Sequence, residues 1–283
     1  MMGETFDYIS EDGWRYHGEQ VGHHPPCSAV TASGRGFEWW QTVQGVHKTT
    51  WGGNIELMPE FPVRLRIGGD EYIWNKVKTT ILNAASNPEN RVIRNEGVMM
   101  IKCSNGVECK LVFKGDKNSV NGEIKDKRSG ATCKLIGRWD RGLNRQLPGE
   151  DQENVFEVPP PHPYARSYYG FSKFSMGLNE LFPEDRDKLP YTDSRFRPDM
   201  RFLEYADAGR ALAAKHQLEG DQRMRAKSGR AARPIWFEFR TDDWSKKNMW
   251  LSNERYWRAK QQKFQDDYSQ TACHVFGSQE SRQ

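Results

Sequence analysis

Apolar and polar residues alternate over short stretches through the first half of the chain. Val107-Glu108-Cys109-Lys110-Leu111-Val112-Phe113-Lys114 sets Val107, Cys109, Leu111 and Phe113 against polar Glu108 and Lys110, the period-two pattern of a strand with one buried face. Gly97-Val98-Met99-Met100-Ile101-Lys102-Cys103 precedes it across Ser104-Asn105-Gly106, so the two are expected to pair as a hairpin. Ala131 to Trp139 has the same texture. Turn signals recur at Asp12-Gly13, Gly34-Arg35-Gly36, Gly52-Gly53, Gly68-Gly69, Asn105-Gly106, Asn121-Gly122 and Ser129-Gly130, too closely spaced for long helices. The expectation is a long antiparallel meander, which must close into a barrel or fold into a sandwich to hide its edges.

After Pro159-Pro160-Pro161-His162-Pro163, a run that no central strand accommodates, the texture changes. Tyr168 to Phe174 is expected to form one last strand. A helix is expected from Pro198-Asp199 to about Lys227, with proline at its start and Gly229 and Pro234 beyond its end. A second charged, aromatic-rich helix is expected over Asn253 to Gln265. The fold class is therefore mainly β with a helical C-terminal segment, divided into residues 1–181 and 182–283.

Composition removes several classes of protein. The 283 residues include 10 Trp, 14 Phe and 10 Tyr, which a disordered chain does not carry. No apolar run approaches the roughly 20 residues of a spanning helix. The polar, acidic start Met1-Met2-Gly3-Glu4-Thr5-Phe6-Asp7 lacks a signal-peptide pattern, so a cytosolic protein is expected. A net charge of +4 is too mild to argue for nucleic acid. Cys27, Cys103, Cys109, Cys133 and Cys273 contain no C-x-x-C pair, so reduced thiols are expected rather than a zinc site.

Two local features carry chemistry. In Glu19-Gln20-Val21-Gly22-His23-His24-Pro25-Pro26, adjacent histidines are followed by prolines that fix φ and remove two donors. Neighbours in a regular strand point to opposite faces, so both rings serve one ligand only where the pleat is broken; Gly22 and the prolines supply that break. A packed turn, a metal site and a phosphate site are all open to these residues, the metal disfavoured for want of a nearby carboxylate or cysteine at ligand spacing. On the C-terminal helix, Lys215, Glu219 and Arg223 stand at i, i+4 and i+8, along one face. They form either a solvated ion-pair ladder or a grip on an anionic head group, with Glu219 holding the cations.

The first of these runs resembles the EQVSHHPP fingerprint of the oxysterol-binding protein and its related proteins. Gly3-Glu4-Thr5-Phe6 is similar to the family's G-E-x-F/Y entry and Gly137-Arg138-Trp139 to its G-x-W strand. Tyr169-Gly170-Phe171-Ser172-Lys173-Phe174 with Leu178-Asn179-Glu180-Leu181 resembles its GFT-x-F…LNEL block. Leu189-Pro190-Tyr191-Thr192-Asp193-Ser194-Arg195-Phe196-Arg197-Pro198-Asp199 resembles its LPPTDSRFRPD run, and Lys215, Glu219, Gln222 and Arg223 fall on its K-x3-E-x2-Q-R pattern. Tyr72 to Val77 looks most like the sterol-handling animal branch.

The resemblance implies a near-complete antiparallel β-barrel around an apolar tunnel, with helices outside. It implies a carrier of sterol, or in some branches phosphatidylserine, that exchanges it for phosphatidylinositol 4-phosphate. His23 and His24 would contact the head-group phosphate at the tunnel mouth, Lys215 and Arg223 would form the opposite wall, and Glu219 would sit between them. No catalytic residue, cofactor or metal is implied. The expected partners are sterol and phosphoinositide lipids and, transiently, membrane surfaces, for a monomer that binds no nucleic acid. The alternatives are a lipid-sensing scaffold without net transfer and a metal-dependent hydrolase on His17, His23 and His24. Gly22 departs from the family's usual Ser. The N-terminal lid and the K-P-x-N-P stretch that the family has before G-E are not in this sequence, an absence expected to speed sterol escape.

Overall fold

The computed structural model describes residues 1–50, 52–168, 170–265 and 275–276. Two compact units arise from contacts: Met1–Ser33 with Pro161–Gln283, and Gly34–Pro160. The fold is mainly antiparallel β with a few helices.

The first unit begins with an antiparallel meander of β1 (Thr5–Ile9), β2 (Arg15–His23) and β3 (Pro26–Gly34). Thr5 lies opposite Glu19 and Glu19 opposite Ala29, so one face of β2 presents His17, Glu19 and Val21 together. That face is buried: Val21, Cys27 and Ala29 pack with Trp236, Phe237, Tyr256 and Ala259 in one core cluster. Tyr16, Gly18 and Gln20 face the other way, towards a cavity of about 250 Å³ that they line with Phe6, Ser28 and Arg197 among others.

The second unit is all strand apart from one 3-10 turn: β4 (Phe37–Val43), β5 (Gly45–Thr49), β6 (Ile55–Pro59), β7 (Val63–Ile67), β8 (Asp70–Trp74), β9 (Lys78–Leu82), β10 (Val92–Cys103), β11 (Val107–Lys114), β12 (Ser119–Asp126), β13 (Thr132–Arg138), β14 (Gly142–Gln146) and β15 (Glu153–Glu157). The path runs β4-β7-β8-β10-β11-β12-β13-β14-β15, with β5, β6 and β9 alongside. β10 serves both branches. Its first half pairs with β9 and its last residues pair with β8. Between the two lies Gly97 at φ +128°, a conformation only glycine adopts freely. Cys109, Leu111, Val120 and Leu135 form the core of this unit, with Met99, Ile101, Phe113 and Trp139 against them.

No closed barrel forms within this unit. Among the described residues β15 pairs with β14 alone, and all five of its residues are exposed. Closure needs the last strand to reach a partner on its free edge, so the antiparallel ladder is seen but the complete ring is not.

Asn121-Gly122 is not the turn that its dipeptide suggests. Both residues lie inside β12, Gly122 opposite Leu111 and Leu135. A Cβ at Gly122 would stand 2.0 Å from the Lys110 carbonyl oxygen, so glycine is required by close strand approach rather than by a bend.

The C-terminal part of the first unit holds α1 (Lys173–Gly177), α2 (Pro198–Glu204), α3 (Ala208–Lys227), the hairpin β16 (Phe237–Thr241) and β17 (Asn248–Ser252), and α4 (Tyr256–Gln261). Three expectations need correction. The strand over Tyr168–Phe174 is instead the end of a 3-10 turn at Ala165–Tyr168 followed by α1. Ser172 accepts from the Ser175 N–H and so starts a helix; Tyr169 lies outside the described residues. The single helix over 198–227 is two, because Ala206 at φ +57° breaks it and Asp207 caps α3 by accepting from the Arg210 N–H. The helix over 253–265 shrinks to Tyr256–Gln261, and the segment before it is strand. Cys27, Cys103, Cys109 and Cys133 are free thiols; Cys273 lies outside the described residues.

Gly122→Ala forces a methyl group against a backbone oxygen that cannot rotate aside. It is expected to lower stability by about 1–3 kcal/mol, read as a shift in the urea midpoint. An unchanged midpoint overturns the close-approach account.

Candidate functional site

The site residues named from the sequence all lie in the first unit. His23 ends β2 and His24 begins the turn into β3. Pairing between these strands slips at Gln20 and Gly22, and such a bulge interrupts the alternation of faces. The two rings consequently meet, their centroids 4.2 Å apart at an interplanar angle of 50°. Both residues are exposed.

Close packing holds the bulge. A Cβ at Gly22 would lie 2.9 Å from the Cys27 Cβ and 3.2 Å from the Pro25 carbonyl oxygen, so the glycine lets the two strands close. Gln20 braces the bend from below. Its amide nitrogen donates to the Gly22 carbonyl at 2.6 Å and its amide oxygen accepts from the Ser28 hydroxyl at 2.7 Å. Neither Gln20 nor Glu19 was singled out in the sequence beyond its place in the run. A polar pair at the start of that run was the available signal.

α3 supplies the second half of the site. It buries Ala211, Leu218 and Gln222, leaves Lys215 and Arg223 exposed and holds Glu219 half-buried. Arg223 and Glu219 form a loose ion pair at 3.9 Å. Lys215 has no ion pair among the described residues and stands one turn before Glu219 on the same face.

The chain start joins the two halves. The Met2 N–H donates to the Gln222 side chain at 2.8 Å, the Gly3 N–H to the Gln20 carbonyl at 2.9 Å, and the Gln20 N–H to the Glu4 carbonyl at 2.8 Å. His23 thereby comes within electrostatic reach of Glu219. Partial burial holds the His23 imidazole below its ordinary pKa and the neighbouring His24 pushes the same way, while Glu219 opposes them. The structure thus brings His23 to His24 directly, Arg223 to Glu219 directly, and His23 within the field of Glu219, while Lys215 is linked to the others only by its place on α3. Exposed imidazole and guanidinium groups of this kind suit an anion with several oxygens.

The chain matches the family model for oxysterol-binding protein over residues 1–261. Human oxysterol-binding protein-related protein 6 is 35% identical over 272 residues, which cover 91% of this chain and 29% of that protein. The chain therefore spans less than a third of that relative's length. Among solved structures, the Osh3 ORD in complex with PI(4)P from Saccharomyces cerevisiae superposes with a TM-score of 0.79 at 28% identity, over 93% of this chain and 71% of that one. The Osh1 ORD domain in complex with cholesterol gives a TM-score of 0.81 at 24% identity, over 94% and 70% respectively, a likeness of fold.

His17 does not join the other histidines. It lies six residues before His23 on β2, roughly 20 Å away along an extended strand, and is 1% exposed. Its ring stacks on Tyr256 at 3.6 Å and on Phe237 at 5.3 Å, and neither ring nitrogen has a hydrogen-bond partner among the described residues. The three-histidine metal arrangement is therefore not assembled. Burial holds the His17 pKa down to about 3 from 6.5. Between those values the unfolded chain binds a proton that the folded chain refuses, so the stability this residue permits is present above about pH 6.5 and is lost as pH falls towards 3. Compared with His17→Phe, which keeps the stack and cannot titrate, the unsubstituted protein is expected to lose about 1.4 kcal/mol more per pH unit through that window. Urea unfolding of both proteins at several pH values checks it, and parallel stability curves would remove His17 from the buried, neutral role.

Proposed function

This chain belongs to the oxysterol-binding protein family, and on that premise we propose that it is a lipid carrier which takes up phosphatidylinositol 4-phosphate and exchanges it for a sterol between membranes. The observation that supports this reading is that Glu219, paired with Arg223 on α3, lies within electrostatic reach of His23, whose ring meets that of His24 at the β2–β3 bend. In this reading residues nearly 200 positions apart serve one anion. The PI(4)P held by the Osh3 ORD, 28% identical to this chain, supports a phosphorylated inositol as that anion. The sterol half rests on family membership, since the cholesterol-bound Osh1 domain is alike in fold at 24% identity.

In this reading His23 and His24 donate to the head-group phosphate, Lys215 and Arg223 neutralise it from α3, and Glu219 orders the two cations. Charge-assisted hydrogen bonds of this kind replace the hydration that the phosphate loses on leaving the membrane. The lipid's tails need an apolar enclosure, because each exposed CH2 costs about 0.8 kcal/mol. The antiparallel strands supply the wall of that enclosure, and one enclosure serving two lipids makes them mutually exclusive. Exchange then follows the gradient of whichever lipid is consumed at one membrane. No covalent step is needed, so the protein is a carrier rather than an enzyme and works at the cytosolic surfaces of membranes. Among the described residues no helix is long and apolar enough to cross one.

Replacing both His23 and His24 by Ala is expected to abolish extraction of phosphatidylinositol 4-phosphate from vesicles while leaving sterol uptake within about twofold. Arg223→Gln is expected to weaken phosphoinositide binding roughly tenfold to a hundredfold, the cost of one charged hydrogen bond. Liposome extraction with each labelled lipid, followed by transfer between two vesicle populations, measures both effects. Equal loss of the two lipids in the histidine variant would sink the head-group assignment, and binding without net transfer would make the protein a sensor instead.

A further inference from the structure

The imidazole pair is poorly suited to holding charge in the free protein. Two rings 4.2 Å apart repel when both are protonated. The charged side chains facing His23 come from two elements: His24 from its own turn and Glu219 from α3. Partial burial and His24 discourage a proton on His23, and only Glu219 favours one. Glu219 is itself shared with Arg223. His23 is therefore neutral near pH 7, offering one N–H donor and one bare acceptor nitrogen. A bare acceptor nitrogen turned to a phosphate oxygen is repulsive. A protonated ring donates from both nitrogens and attracts the anion.

We propose that the His23–His24 pair takes up at least one proton when a phosphomonoester head group binds, so that capture of the phosphorylated lipid is coupled to pH while capture of the neutral lipid is not. This rests on the phosphoinositide reading above. The proton passes from buffer or water to an imidazole nitrogen, and no other bond forms or breaks. Linkage then requires affinity to tighten as pH falls, about tenfold per unit for one proton taken up. The gain stops near pH 6, where the phosphomonoester acquires its own second proton. A site built from Lys and Arg alone has no such dependence above that pH, because both cations stay charged. Loading is thus favoured on the more acidic side of a pH difference and release on the more alkaline side, for one of the two lipids only.

The test is calorimetric titration of the 283-residue protein with short-chain phosphatidylinositol 4-phosphate between about pH 8 and about pH 6.5. Each pH is run in two buffers of different ionisation enthalpy. The expected result is a dissociation constant that tightens about thirtyfold over the range, with heats that differ between buffers by the amount one absorbed proton requires. The His23→Gln, His24→Gln double variant is expected to bind more weakly, with its pH slope and its buffer dependence gone. It retains His216 on α3, so a slope that survives in it puts the proton elsewhere and overturns the proposal. Affinity and heat that ignore pH and buffer in the unsubstituted protein overturn it too, while leaving the phosphoinositide reading intact. Absence of binding at every pH defeats that reading and this inference together. Should the double variant fail to fold, the buffer dependence of the unsubstituted protein decides the matter.

Discussion

One buried carboxylate fixes the strand on which the candidate site is built. Glu19 is 2% exposed and accepts from the backbone N–H groups of Ile235 at 2.7 Å and Trp236 at 2.9 Å. Burial pushes its pKa up to about 7 against the pull of those donors. A carboxylate removed from water without partners costs several kcal/mol, so the strand and the 235–236 backbone hold each other in place. With Glu19 committed to this face, Gln20 must turn to the other, where it braces the bend that brings His23 and His24 together.

A second polar network secures the same meander. Asp7 on β1 accepts from the Tyr256 hydroxyl at 2.8 Å and from Arg195 at 2.9 Å, and forms an ion pair with Lys260. Arg195 is also held by Asp193 at 2.7 Å. The cations beside Asp7 and the Tyr256 hydroxyl draw its carboxyl below the usual range despite burial. Such a network is costly to leave half-made, which ties β1, the 193–195 turn and α4 to one arrangement. His17, stacked on Tyr256 beside this network, is packing rather than chemistry. The division of labour along β2 is sharp: inward residues hold the fold, and the residues past the bulge face solvent.

Much of this was legible in the chain. β11 runs over Val107–Lys114 as its alternation predicts, and the Ser104-Asn105-Gly106 turn joins it to β10. These features are local, set by turn residues and by the face each side chain must hide. The pairing of His23 with His24 followed from a broken pleat that Gly22 and the prolines foretold, and α3 carries Lys215, Glu219 and Arg223 on one helix as their spacing requires. Local logic failed where a distant contact overrode it. Asn121-Gly122 has the dipeptide of a turn, yet the approach of Lys110 from the neighbouring strand makes it a strand interior. Phe237-Glu238-Phe239-Arg240-Thr241 alternates like a strand, and it went unread because the surrounding charge and aromatics suggested helix.

By itself, then, the sequence determined the periods, most of the turns and the family, and it named the candidate site residues, because each is written in neighbours a few positions apart. Only the tertiary structure decided which histidine is buried and which are offered to solvent. It alone tied β2 to α3 through the chain start, with Met2 on the buried Gln222 and Gly3 on Gln20. Those contacts join residues separated by most of the chain, and their energy depends on packing and desolvation that no local pattern records.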